Sequence, residues 1–258
     1  MTTAAAHLTR QSMRVPPLSW ALLSWALLQG SPAHATQADA LSPAGAILLP
    51  AAAIDNPRRA GPLQTAVLAG GCYWGQQAVF QHVRGVRRVL AGYSGGSRAT
   101  AHYIMVGTDT TGHAESVQIS FDPAAVSYGE LLRIFFSIAH DPTQLNRQGP
   151  DQGVRYRSDI FYRDAAQKRI AQAYIAQLQH AGVFDAPIVT RLDALTGFYP
   201  AEDYEQDFVV RNTDYEYVAQ NDLPRIANLQ RLWPQMYRAA PLLVSRDGGG
   251  GLQHEPLN

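Results

Sequence analysis

The chain has one thiol, and its setting suggests chemistry. Gly70-Gly71-Cys72-Tyr73-Trp74-Gly75 follows a short apolar run, Thr65 to Ala69, and precedes residues with helical spacing. A cysteine where a strand turns into a helix meets the amides of the helix N-terminus. Those dipoles favour the thiolate, so a lowered pKa and a prepared nucleophile are expected. The shift matters because a free thiol with a pKa of about 8.5 is only about 3% ionised at pH 7. The plainer alternative is a small buried hydrophobe. A Gly-Gly turn and two consecutive aromatics weigh against it.

Glu115 is the second residue of interest. It shares the parity of Val117, Ile119 and Phe121, while Ser116, Gln118 and Ser120 face the other way. A carboxyl on the apolar side of a strand is desolvated, which raises its pKa. Half protonation at pH 7 needs a rise of roughly 3 units from about 4.3. The alternative is a solvated strand-end carboxylate, or a partner for one of the arginines. His113 and His140 show neither His-x3-His nor His-Glu-x2-His spacing, and one thiol cannot build a sulfur-rich metal site, so hydrogen-bonded structural histidines are expected. The only lysine, Lys168, lies in a charged helical stretch.

These residues need a scaffold. Strands are expected over 65–69, 86–92, 116–121, 158–162 and 188–192. Helices are expected from Gly75 to Val83, from Ser127 to about His140, from Asp164 to Gly182, and from Pro200 to about Phe208. Ser127 with Glu130 makes a capping box, and Asp164 with Gln167 caps the long helix. Strands and helices intermix without repeats. The expectation is one α/β or α+β domain over about 62–236.

Composition bounds the rest. The 258 residues carry 21 basic and 21 acidic side chains, with 46% hydrophobic residues. That supports a packed core and argues against nucleic-acid binding by bulk charge. Residues 1–35 read as a secretory signal. Arg10 and Arg14 precede the apolar run Leu18 to Leu28, which is about 16 Å long as a helix and too short to span a bilayer. Ala33-His34-Ala35 has the small-x-small pattern of a cleavage site. An uncleaved anchor is the alternative. Removing Arg10 and Arg14 with this segment leaves 19 basic against 21 acidic residues. The expected location is exported, periplasmic or secreted, without stable membrane insertion after cleavage. Residues 36–61 read as a flexible Ala/Pro-rich arm, and 237–258, with Gly248 to Gly251, as a flexible tail.

Gly71-Cys72-Tyr73-Trp74-Gly75 resembles the G-C-F-W-G signature of the peptide methionine sulfoxide reductase A family. The resemblance continues, in order, through Gly92-Tyr93-Ser94-Gly95-Gly96, Thr111-Gly112-His113-Ala114-Glu115, Phe121-Asp122-Pro123, His140-Asp141-Pro142-Thr143-Gln144, Asn146-Arg147-Gln148-Gly149, Gln152-Gly153, Tyr156-Arg157-Ser158 and Tyr199-Pro200-Ala201-Glu202. It covers about 64–212. It implies an α+β fold, a single ferredoxin-like sandwich domain with a mixed sheet and a loop-rich periphery, and reduction of methionine S-sulfoxide, free or in oxidised proteins. Cys72 would attack the sulfur and Glu115 would protonate the oxygen. Tyr73 and Trp74 would grip the S-methyl group, each buried methyl contributing roughly 0.8 kcal/mol. By the same resemblance Tyr103, Tyr156 and Asp151 join the catalytic set, the two phenols sharing the sulfoxide oxygen with Glu115.

Attack would leave Cys72 as a sulfenic acid. Many family members resolve it with further cysteines in a glycine-rich tail, and here the glycines stand without them. The second thiol is therefore expected from outside, from a thioredoxin-like dithiol protein or a small thiol, with no bound cofactor and a monomeric enzyme. Three further departures stand out. Tyr73 replaces the usual Phe, Glu205 stands where many relatives carry His and is expected to be peripheral, and the run around Tyr103 is atypical. Two other classes compete. One is a hydrolase or acyltransferase with Cys72 as nucleophile, His140 as base and Asp141 as orienter. The other is a non-catalytic sulfoxide binder or a peroxide sensor.

Overall fold

Alternating apolar residues pair into a sheet, and helical stripes cover one of its faces. The computed structural model describes residues 46–244. In chain order the elements are β1 (Gln64–Gly70), α1 (Tyr73–Gln81), β2 (Val86–Ser94), α2 (Tyr103–Val106), β3 (Ala114–Phe121) and α3 (Tyr128–Ile134). They continue with β4 (Arg147–Gln148), β5 (Asp151–Gln152), β6 (Ser158–Tyr162), α4 (Ala165–Ala181), β7 (Arg191–Ala194), β8 (Phe198–Pro200), α5 (Phe208–Arg211) and α6 (Leu223–Leu232).

The main sheet has the order β7-β6-β1-β3-β2-β8. Its central strands β6-β1-β3-β2, joined through α1 and α3, make the 4-1-3-2 order of a ferredoxin-like split βαβ unit. Neighbours are antiparallel except β6 and β7, so the sheet is mixed. Leu68, Val117, Ile119 and Phe121 pack against Val79 and Phe80 of α1, Leu131 and Leu132 of α3, and Ile170 and Tyr174 of α4. The opposite face carries a smaller cluster of Val67, Ala69, Ala114 and Phe161 under loops. The expected α+β sandwich is the fold observed.

The start of α3 is the expected capping box: Glu130 N–H donates to Ser127 Oγ at 3.2 Å, and Ser127 N–H donates to Glu130 Oε2 at 2.8 Å. Past Ile134 the helix widens into a π turn, Phe135–Ala139. Asp164 caps α4, and Gly182 ends it in the left-handed region at φ +58°.

Some expectations shift. The strand expected over 188–192 is β7, at 191–194. The helix expected from Pro200 to about Phe208 does not form; α5 begins only at Phe208. Phe198–Pro200 instead pairs with β2 as a sheet edge, where a proline is tolerated. The following side chains bond elsewhere: Gln206 holds both the N–H and the C=O of Ala91. The sequence reading missed α2 and α6.

The arm is also corrected over the part described. Leu49 is buried in the main core, with its N–H on Ser137 Oγ and its C=O held by Arg133. Tyr174 bonds Pro50 O, and Gln177 bonds Ala51 and Ala53. These five hydrogen bonds outweigh the arm's Ala/Pro composition. The first stretch of the tail docks too: Arg238 N–H reaches His82 O and Leu242 N–H reaches Gln81 O. The expected signal over 1–35, arm residues 36–45 and the tail glycines lie outside the described residues. Among the described residues no helix is long and apolar enough to cross a membrane.

Candidate active site

The site forms at the C-terminal end of β1. Gly71 turns the chain at φ +95°, and a Cβ there would meet the Gln148 side chain at 2.5 Å. Only glycine fits both the angle and the space. Cys72 follows as the N-cap of α1, 7% exposed. The register Leu68↔Val117 between β1 and β3, continued two residues, sets Glu115 opposite Gly70. Glu115 therefore reaches the first turn of α1, where its Oε2 accepts Tyr73 N–H at 3.1 Å.

Glu115 is only 4% exposed. Burial pushes its pKa up to about 8; the Tyr73 N–H and Arg155 oppose the rise, and Asp151 and Glu205 add to it. It is thus largely a neutral carboxylic acid at pH 7. The expected buried acid is observed.

The expected lowering of the thiol pKa is not. Burial pushes Cys72 well above the ordinary thiol value, and the carboxylates of Glu115 and Asp222 push it further. The Trp74 backbone N–H favours the anion, as a helix N-terminus should, but it is outweighed. Desolvation and facing carboxylates beat the helix dipole here.

Tyr103, Tyr156 and Asp151 converge on the same place. Both phenols have pKa values raised first by burial and then by nearby acids, with Glu115 and Cys72 among the causes for each. Arg155 lies over the Tyr156 ring, 4.5 Å from its centroid. Asp151 accepts a short hydrogen bond from Tyr217 Oη. The Trp74 indole stacks on Phe208 with centroids 3.7 Å apart and planes 7° apart, and meets the Tyr217 ring edge-on at 5.9 Å.

A family model described as peptide methionine sulfoxide reductase matches residues 64–236. The chain belongs to the peptide methionine sulfoxide reductase family. It is 55% identical over 181 residues to the peptide methionine sulfoxide reductase MsrA 2 of Mesorhizobium japonicum, covering 70% of this chain and 93% of that protein. It is 53% identical over 176 residues to its namesake in Synechocystis, covering 68% and 82%. Among solved structures, reduced Mxr1 from Saccharomyces cerevisiae aligns with a TM-score of 0.55 at 26% identity, covering 68% of this chain and 98% of that one. Methionine sulfoxide reductase A of Corynebacterium diphtheriae aligns at 0.51 and 31% identity, covering 68% and 89%. The enzyme is an oxidoreductase that reduces methionine sulfoxide at the expense of thiols.

In this reductase the structure gathers Cys72, Glu115, Tyr103, Tyr156, Asp151 and Trp74. Tyr73 departs from the expected aromatic wall. Its ring is 1% exposed and buried in the core, its hydroxyl 3.4 Å from that of Tyr93. It backs the site from beneath, and its N–H holds Glu115. Glu205 is not peripheral. It is 4% exposed and accepts Trp74 Nε1–H at 2.7 Å. Sequence reasoning also missed Tyr217, Phe208 and Glu202. Glu202 Oε1 accepts Tyr103 N–H at 2.9 Å, and its Oε2 accepts Tyr93 Oη–H at 3.0 Å. No periodicity announces these residues; only the closeness of Glu202 and Glu205 to the Tyr199-Pro200-Ala201 run could have flagged them.

The histidines are structural, as expected. His113 Nδ1 accepts Gly96 N–H and its Nε2 lies 3.0 Å from Ser97 O. His140 holds Phe135 O through Nδ1 and Ser158 Oγ through Nε2, and burial pushes its pKa down to about 4. With both nitrogens engaged it has none to offer Cys72. Asp141 accepts from Thr143 and Gln144, not from the His140 ring. The hydrolase reading loses its base and its orienter. Among the described residues no group of three or more His, Cys, Asp or Glu side chains is arranged to hold a metal ion.

Proposed function

We propose that Cys72 reduces the S epimer of methionine sulfoxide through a sulfenic acid, with Glu115 as proton donor. The observation that carries this reading is the neutral Glu115 carboxyl, buried and bonded one residue beyond the nucleophile. The Cys72 sulfur attacks the sulfoxide sulfur. A proton from Glu115 goes to the oxygen, which leaves sulfur only as a hydroxyl. The Tyr103 and Tyr156 hydroxyls donate to the same oxygen, polarising the S–O bond. Oxygen passes to Cys72 and methionine leaves; the proton of the thiol restores Glu115. The net step converts thiol and sulfoxide into sulfenic acid and thioether. Asp151, fixed by Tyr217, orients the site, and the Trp74 indole grips the S-methyl group.

Regeneration uses two external thiols. The first condenses with the Cys72 sulfenic acid, releasing water and leaving a mixed disulfide. The second displaces Cys72 as thiol. A thioredoxin-like dithiol protein or a small thiol serves both steps. The exposed rings of Tyr103, Tyr204 and Tyr215 suit a sulfoxide carried on a polypeptide. The export signal read in residues 1–35 would place this repair outside the cytoplasm.

The test is single-turnover release of methionine from a methyl sulfoxide without reductant. One methionine and one sulfenic acid per chain are expected, and Cys72→Ser should release none. Release by that variant overturns the reading. Sulfenic acid formed from peroxide alone, with no methionine released, would favour a sensor.

A further inference from the structure

Glu205 lies far from the Gly71–Gly75 turn in sequence yet meets it in the structure, at the Trp74 indole. We infer that Glu205 is a specificity-determining positioning residue that fixes the Trp74 indole. This rests on the reading of Trp74 as the wall of the methyl pocket.

The indole has three constraints. Stacking on Phe208 sets its plane. The edge of Tyr217 limits its sideways travel. Neither fixes rotation within the plane, because a stack tolerates sliding and turning. The single indole donor, Nε1–H, does so by bonding Glu205 Oε2 at 2.7 Å. A carboxylate is an acceptor on both oxygens, so it suits an indole without tautomer ambiguity. A bond to a charged acceptor in a buried place is also stronger than a neutral one.

Glu205 must itself be held. Burial raises its pKa, the hydrogen bond from Trp74 and the charge of Arg211 lower it, and the Glu202 carboxylate raises it further. The segment after β8 thus reaches three parts of the site: Glu202 holds the start of α2 at Tyr103, Glu205 holds the indole, and Phe208 stacks on it.

The experiment uses the full chain and two readouts. Trp74 emission is isolated by difference against Trp74→Phe. It should titrate with a midpoint above the ordinary glutamate range, as a buried Glu205 carboxyl bonded to the indole requires. Glu205→Gln, which keeps an acceptor, should abolish the titration but hold the emission maximum near wild type; Glu205→Leu should shift it. For a methyl sulfoxide, Glu205→Leu should raise KM by about tenfold with kcat changed far less, and Glu205→Gln should recover most of the loss. Equal emission and KM for the Gln and Leu variants overturn the inference. If Glu205→Leu does not fold, Glu205→Gln still decides: a titration of Trp74 emission that survives in it overturns the inference. A Trp74→Phe enzyme with unchanged KM would instead defeat the methyl-wall reading and leave the emission test standing.

Discussion

The Glu115 carboxyl accepts the backbone N–H of Tyr73 at 3.1 Å, one residue past the only thiol. The bond couples two groups whose charges oppose each other. An ionised Glu115 raises the Cys72 pKa, and a neutral one does not. Proton transfer from Glu115 to the substrate therefore cannot be separated from thiolate chemistry beside it. The resting site holds both protons, and the sulfoxide oxygen is the base that draws one away.

The first prediction concerns pH. Glu115 has a pKa of about 8 and must be protonated to act. The single-turnover rate of methionine release should therefore fall as pH rises through about 8. Glu115→Gln can still donate a hydrogen bond but not a proton. It should lose this falling limb and slow by roughly 100-fold or more, with Glu115→Ala slower still. Rapid-quench assays from pH 6 to 10 check both. A falling limb that survives in Glu115→Gln would assign it to another group.

The same carboxyl should mark the stability curve. Its folded pKa, about 8, lies above the ordinary 4.5. Between those values the native chain holds a proton that the unfolded chain has released. Stability from this group is full below the unfolded pKa and is lost as pH rises toward 8. Glu115→Gln lacks the term, so its stability relative to wild type should improve from pH 5 to pH 8. Urea unfolding at the two pH values measures the change; a constant difference would contradict the raised pKa.

Much of this was legible in the sequence because local signals agreed with tertiary demands. Parity placed Glu115 on the apolar side of β3. The Gly-Gly-Cys turn placed Cys72 at a helix start. The capping box at Ser127 and the stop at Gly182 set helix limits. What was not legible depends on contacts distant in sequence. The thiol pKa is raised first by burial and then by Glu115 and Asp222, 43 and 150 residues from Cys72, and no local pattern weighs these against the helix dipole. Pro200 reads locally as a helix start, but the free edge of β2 recruits its segment as a strand. The arm reads as loose because Ala and Pro carry no periodicity, yet Leu49 finds a core site and Tyr174 a carbonyl.

That docking is testable. Leu49 is buried against the helical side of the core. Leu49→Ala should destabilise the protein by about 2–5 kcal/mol, from lost transfer energy and the cavity left behind. Tyr174→Phe should lose about 1 kcal/mol for its bond to Pro50 O. Chemical denaturation gives both values. A loss below about 0.5 kcal/mol for Leu49→Ala would mean the arm is dispensable.

The last prediction sets two effects of opposite sign against each other at Gly75. This glycine lies within α1, where replacement by alanine ordinarily stabilises a helix by up to about 1 kcal/mol. Here the added Cβ would stand 2.2 Å from Asp222 Oδ1 and 2.7 Å from Arg225 Nη1. Both side chains are buried, and Asp222 is a short side chain with no solvent to retreat into. The clash should win, and Gly75→Ala should destabilise by about 1–3 kcal/mol, as overpacking does. Because Asp222 also bears on the Cys72 thiol, displacing it should lower the thiol pKa. Alkylation of Cys72 across pH, with unfolding measured in parallel, checks both. A stabilised variant with an unchanged alkylation profile would show that Asp222 does not press on the first turn of α1.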